Sequence, residues 1–425
     1  MRPDSRLPLA AVLAWRISRN LVIATRFRVG HRRPSGAPFA IDHARDAWKR
    51  HQWHAGTRRP RHVEGSTLKT GVLTFHRCIN YGSYWQARCL VQGLRALGHD
   101  AVLLDHASRR VDVAEWKCAF RPTLPERGPA GDRPAYRRKL RRFFEAFEQL
   151  PLSTRFPLDE PSRMPDCGTV VVGSDEVWNL SHPWYRHPMF YGEGIRAERL
   201  LSYAASFGNH EAPSGLEPAW TQRLRSFDWI SVRDEVSRAI VRTATGIDPD
   251  LVLDPCLQFP LEPDDDCDEL PRRAYVAVYG HGFSAGFAEH VVRWARRRRR
   301  EIVSIGYRND WADRQWIDAG PHAFAHFIAG AQAVATNFFH GCVFALRNGR
   351  PFACEATPYR GNKLRCLMAA VGGERHLVDA GMDTAGYDAL LDAPPLPAVQ
   401  RRIDRLRERS SAYLARALAA ERRTA

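Results

Sequence analysis

"GVLTFHRCINYGSYWQARCLVQGLRALGHDAVLLDH", residues 71–106, is the stretch that decides the fold. GVLTF is a short apolar run of strand character, and the polar loop HRCINYGS (76–83) follows it. Residues 84–97 then place apolar side chains three and four apart, which predicts an amphipathic helix. Gly98 stands just past its end, where a residue tolerant of positive φ closes a helix. DAVLLDH (100–106) is a strand again. Strand, helix and strand in so short a span make a βαβ unit, which requires a parallel sheet.

The same rhythm recurs outward from this unit. TVVVGSDEVWN (169–179) is a buried strand entering a polar loop, and LLSYAASFG (200–208) a strand and turn. WISVRDEVSRAIVRTATG (229–246) reads as a strand and a helix with Asp234 and Glu235 at its positive end. LVLDPCLQF (251–259) reads as another strand. The polar, proline-punctuated PLEPDDDCDELPRR (260–273) is the best linker in the chain. Beyond it come AYVAVYGHG, a helix near 284–296, EIVSIGY, the helix around PHAFAHFIAGA, AVATNFF and RPFACEA. The expected organisation is a basic extension (1–65), an α/β half (66–260), a linker (261–273), a second α/β half (274–395) and a charged C-terminal helix (396–425). The fold class is α/β, with two Rossmann-like parallel-sheet domains facing a cleft. Ligands of such sheets sit beyond the carboxyl ends of the strands.

The chain of 425 residues is long enough for two such halves, and its net charge is +16, nearly all from arginine. Such a surface suits nucleic acid, an anionic membrane or an anionic small substrate. No nucleic-acid motif accompanies the charge, which is spread along the chain, so nucleic acid is not an expected partner. Nine scattered cysteines without C-x-x-C or zinc-like spacing read as reduced thiols in the cytoplasm, with no metal and no cofactor. No apolar run reaches a membrane span. In RLPLAAVLAWRISRNLVIATRFRVGHRR, Arg16 and Arg19 break what would be a signal-peptide core. That segment reads either as a basic helix lying on the inner membrane face or as an extension outside the fold.

Several polar residues share one topological place, directly after a strand. Asn80, Tyr81 and Gly82 follow the first strand, Gly173-Ser174-Asp175 follow TVVV, Arg233 follows WISV, and His340 follows AVATNFF. In parallel sheets these loops open on one edge, where helix N-termini offer free N–H groups to anions. Each also has a plain structural reading: an ion-paired arginine, a turn with an N-cap, a core histidine. From the residues alone, both readings stand.

Six segments in this order are similar to the polysaccharide pyruvyl transferases: TFHRCINYGSYWQARCLVQGLRALGHDAVLLDH, VVVGSDEVWN, SYAASFG, ISVRDEVS, VLDP and ATNFFHGCVFALRNGRPFACEATPYRGNKL. The resemblance covers roughly residues 70–390. It implies a GT-B-like fold and transfer of pyruvate from phosphoenolpyruvate to hydroxyls of a glycan or lipid-linked oligosaccharide, forming a ketal in surface polysaccharide synthesis. It further implies His340 as the catalytic histidine and Arg233 as the donor-binding arginine. Asn337, Gly341 and Lys363 join Asn80 to Gly82 and Gly173 to Asp175 as substrate-binding candidates, with Arg365 beside Lys363. Asn337 and Phe338 stand where the family loop often carries Asp and Ser. Competing readings are a GT-B-type glycosyltransferase with a nucleotide-sugar donor and a non-catalytic scaffold on membrane or nucleic acid.

Overall fold

The computed structural model describes residues 69–122, 124, 128–210, 215–261, 269–357 and 361–419. The expected N-terminal extension and most of the expected linker lie outside the described residues.

The first half carries β1 (Thr70–Leu73), β2 (Ala101–Leu103), β3 (His106–Ala107), β4 (Phe156–Pro157), β5 (Cys167–Val172) and β6 (Ala197–Ser202), then β7 (Ser231–Val232) and β8 (Asp250–Leu251). Its main sheet has the order β2-β1-β5-β6 and is wholly parallel. Single bridges from Leu201 to Trp229 and from Ala205 to Val232 carry the β7–β8 pair alongside β6. The second half carries β9 (Tyr275–Tyr279), β10 (Glu301–Ile305), β11 (Arg314–Trp316), β12 (Ala333–Thr336), β13 (Phe352–Glu355) and β14 (Leu377–Val378). They form one parallel sheet, ordered β11-β10-β9-β12-β13-β14.

Central strands such as β5 (CGTVVV), β9 (YVAVY) and β12 (AVAT) are buried at every position. Both faces of each sheet are therefore covered, which explains why these strands read as unbroken apolar runs rather than alternating ones. The covering helices of the first half are α1 (Tyr81–Ala96), α2 (Arg109–Phe120), α3 (Arg133–Glu148), α4 (Pro218–Arg225), α5 (Glu235–Thr245) and the single turn α6 (Pro255–Gln258). Those of the second are α7 (Ala285–Arg297), α8 (Pro321–Gly330), α9 (Phe339–Arg347), α10 (Gly361–Val371), α11 (Thr384–Asp392) and α12 (Pro397–Ala419).

LVLDPCLQF departs from expectation. The strand stops at Leu251, and Asp254 caps α6 by accepting from the Cys256 N–H at 3.0 Å, with Pro255 at the first helical position. A capping Asp followed by Pro starts a helix, and this local chemistry overrides the apolar content.

The halves share one core. Tyr81, Trp85, Phe143 and Phe147 belong to the same buried cluster as Tyr279, Phe324 and Phe344. Hydrogen bonds cross the same boundary: Tyr81 Oη to Ala319 O (2.8 Å), Trp85 Nε1 to Pro321 O (2.9 Å) and Lys139 Nζ to Gly306 O (3.0 Å). The C-terminal helix α12 returns to the first half, where Tyr413 donates to Ser202 O at 2.7 Å and Ser410 Oγ accepts from Leu253 N at 2.9 Å.

Candidate active site

The loops after β1, β5, β7 and β12 converge at one place. His340 is the second residue of α9, directly beyond β12, and is 8% exposed. Its imidazole lies against the first turn of α1, so closely that a Cβ on Gly82 would fall 1.9 Å from Nδ1. Any side chain at position 82 would have to displace the ring or the helix start, because the helix backbone itself forms one wall of the histidine's slot. On the other side, Nε2 lies 3.5 Å from Asp254 Oδ2, an ion-pair separation, and makes no hydrogen bond.

Asp254 is the hub. Arg233 reaches its Oδ2 at 3.2 Å and Asp175 Oδ1 at 3.4 Å, while its guanidinium lies 4.6 Å from the centre of the Phe339 ring. The Arg233 side chain is only 3% exposed, and a charge so buried requires such partners. Burial alone would push the Asp254 carboxyl up; His340 and then Arg233 hold it down at about 2. Asp175 is held in turn by Ser83 Oγ at 2.7 Å from the first turn of α1. Next along the loop, Glu176 pairs with Lys363 of α10 and accepts from Asn179 Nδ2 at 2.8 Å. Burial raises the Glu176 carboxyl, but the Lys363 ion pair and the Arg233 charge overcome it and set it at about 2. Three carboxylates thus face an arginine, a lysine and a histidine, at the N-termini of α1, α5, α6 and α9.

The structure brings together His340, Arg233, Asp175, Gly82 and, through Glu176, Lys363. It places the other sequence candidates differently. Asn80 caps α1, its Oδ1 accepting from Gly82 N at 2.8 Å and Ser83 N at 3.3 Å. Tyr81 points into the shared core and stacks on Phe324 at 4.5 Å. Gly173 sits at φ +113°, where a Cβ would strike Tyr203 O, and Ser174 is wholly buried with its carbonyl bound by Thr74 Oγ1 at 2.9 Å. Gly341 lets α9 close onto Thr336. Asn337 donates to His281 O at 2.9 Å, and Phe338 packs edge-on against Tyr279, His281 and Tyr307. Asn337 and Phe338 thus face the end of β9, and the carboxylate beside His340 comes from Asp254. Arg365 bonds to Asn362.

Sequence reading singled out neither Asp254 nor Glu176 nor Ser83. Asp254 lies in VLDP and Glu176 directly follows Gly173-Ser174-Asp175, so the segments were legible and the roles were not. Asp254, Cys256 and His340 also set three ligand-type atoms within 4.8 Å of one another, all buried. Arg233 already approaches Asp254 Oδ2 at 3.2 Å, and burial, with Cys89 adding to it, pushes the Cys256 thiol well up.

The sequence profile described as polysaccharide pyruvyl transferase matches residues 80–357. Among curated proteins none matches the chain. Solved structures similar to it include the glycosyltransferase SnogD from Streptomyces nogalater, 13% identical, covering 83% of this chain and 98% of that chain with a TM-score of 0.42. UDP-GlcNAc 2-epimerase from Neisseria meningitidis is 10% identical, with 81% and 100% covered and a TM-score of 0.41. Likenesses this distant carry no information on activity. The fold is α/β with two parallel sheets, and the profile spans the loops that build the site. The chain is a transferase and belongs to the polysaccharide pyruvyl transferase family.

Proposed function

We propose that the site moves pyruvate from phosphoenolpyruvate onto two hydroxyls of a glycan, forming a ketal, with His340 as the acid and base. The observation that carries this reading is the His340–Asp254–Arg233 array: a buried imidazole backed by a carboxylate kept ionised by an arginine. The imidazole gives a proton to the methylene carbon of the enol, and the charge left at the adjacent carbon is oxocarbenium-like. A glycan hydroxyl attacks that carbon and returns its proton to the imidazole, which restores the catalyst. The carbon–oxygen bond to phosphate then breaks, the second hydroxyl closes the ketal, and its proton leaves with phosphate. Asp254 orients the ring and steadies its charged form. Arg233 takes the donor carboxylate or phosphate by exchanging its longer contact, to Asp175, for a donor oxygen. Synthesis of a surface polysaccharide in the cytoplasm, on a free or lipid-linked acceptor, and membrane contact through residues 1–65 belong to the same proposal.

The test is phosphate release from phosphoenolpyruvate with a glycan acceptor, for the natural chain and His340→Ala. The variant is expected to lose on the order of 10²–10⁴-fold in turnover. Unchanged turnover in a folded variant removes His340 from the chemistry. Thermal stabilisation by nucleotide-sugars, without any by phosphoenolpyruvate, would replace the donor assignment altogether.

A further inference from the structure

Away from this site, at the other edge of the second sheet, arginines line a groove of about 1010 Å³. Arg272 and Arg273 precede β9, Arg299 and Arg300 precede β10, and Arg314 opens β11. These three strands are parallel to one another and to β12, whose far end leads into His340. The groove therefore opens at the amino ends of the strands, and the His340 cluster lies beyond their carboxyl ends.

Most carboxylates in the groove wall are already spent. Glu269 is held by Arg142 at 2.6 and 2.7 Å, Asp318 by Arg138 at 2.7 Å and Asp313 by Arg296 at 2.5 Å. The five-arginine run 296–300 divides accordingly. Arg297 and Arg298 turn to Asp388 and Asp392 of α11, and Arg296 to Asp313. Arg299 and Arg300, with Arg272 and Arg273, have no ion-pair partner among the described residues. Helix α7 also ends here, but a helix terminus is satisfied by one or two cations and does not account for four more gathered round a concavity. Guanidinium forks match phosphate oxygens two at a time, and several around one concave space suit adjacent phosphates better than a single carboxylate.

We propose that this groove is a binding site for a diphosphate group, separate from the catalytic cluster. The group is either free in solution or carried on a lipid. The test is calorimetric titration of the full chain with inorganic pyrophosphate, and co-sedimentation with phosphatidylcholine vesicles with and without farnesyl diphosphate. The variants are Arg299→Asn with Arg300→Gln, Arg272→Gln with Arg273→Gln, and His340→Ala as a control in the other site. Asn is chosen at 299 because that residue has φ +53°.

Each groove pair is expected to weaken diphosphate binding on the order of tenfold or more, while His340→Ala binds as the natural chain does. Whichever of the free and lipid-borne groups binds tighter identifies the source. Binding that survives both groove variants overturns the proposal, as does groove-dependent binding of duplex DNA with none of either diphosphate. Asp264, Asp265 and Asp266 lie outside the described residues and close by in sequence. Pyrophosphate binding that appears only after all three are changed to Asn would overturn it too, in favour of a groove filled by the chain's own carboxylates.

Discussion

Gly82 is the residue on which the site's geometry turns. Its missing side chain is the space that the His340 ring occupies, so Gly82→Ala must move either the ring or the start of α1. The variant is expected to fold, to melt a few degrees lower, and to lose on the order of 10²-fold in phosphate release, as misplacement of about 1 Å costs. Turnover equal to the natural chain would show that His340 works from another position. Asp254 makes a different prediction, about acid. Its carboxyl and that of Glu176 both sit near 2, below the ordinary 3.8 and 4.5. Groups depressed by folding stabilise the folded state above their unfolded pKa, and that contribution is lost as pH falls through the folded value. Stability to urea should therefore decline from about pH 4.5 towards pH 2. Asp254→Asn should begin about 3 kcal/mol less stable, because it leaves Arg233 short of a partner. It should also lose less on acidification, and identical acid slopes in the two chains would refute the account.

At the scale of elements, α1 and α3 join the two sheets. Helix α1 sends Tyr81 and Trp85 to backbone carbonyls of the second half, while its Asn80–Ser83 end lies against His340 and Asp175. The same helix therefore ties the boundary between the halves to the His340 cluster. Helix α3 contributes Lys139, whose ammonium donates to Gly306 O between the rings of Tyr81 (4.9 Å) and Tyr307 (4.6 Å). Burial pulls its pKa down to about 7. The unfolded chain then holds more protons than the folded one between about pH 7 and 10, and stability rises with pH across that window. Between pH 7 and 9 the natural chain should gain about 2 kcal/mol that Lys139→Met does not, with urea unfolding as the measure. Parallel pH profiles would mean that the aromatic rings and the carbonyl keep the amine charged.

For the whole molecule, the shared core has a direct consequence. Residues 66–425 behave as one compact unit whose principal apolar cluster draws on both sheets. Calorimetry should accordingly show one cooperative transition for this unit, and two resolved transitions for it would contradict the shared core. The charge also divides by site. The His340 cluster balances its arginine and lysine with carboxylates, whereas the groove at the other edge leaves four arginines without ion-pair partners among the described residues.

Much of this was legible in the chain itself. Continuous apolar strands alternating with amphipathic helices admit only parallel sheets covered on both faces, so β1–α1–β2 and β12–α9 could be read locally. The position of His340 and Arg233 after strands follows from the same rhythm, because a parallel sheet sends every such loop to one edge. What the sequence could not supply was the partner of each group. Nothing local distinguishes Asn80 as a cap from Asn80 as a ligand, or Asn337 facing His281 from Asn337 facing His340. Asp254 is 86 residues from His340 in the chain, and Gly82 more than 250, yet both touch its ring. Periodicity records which face of an element is buried, whereas contacts between distant loops depend on how two sheets pack, and that was decided only by the tertiary structure.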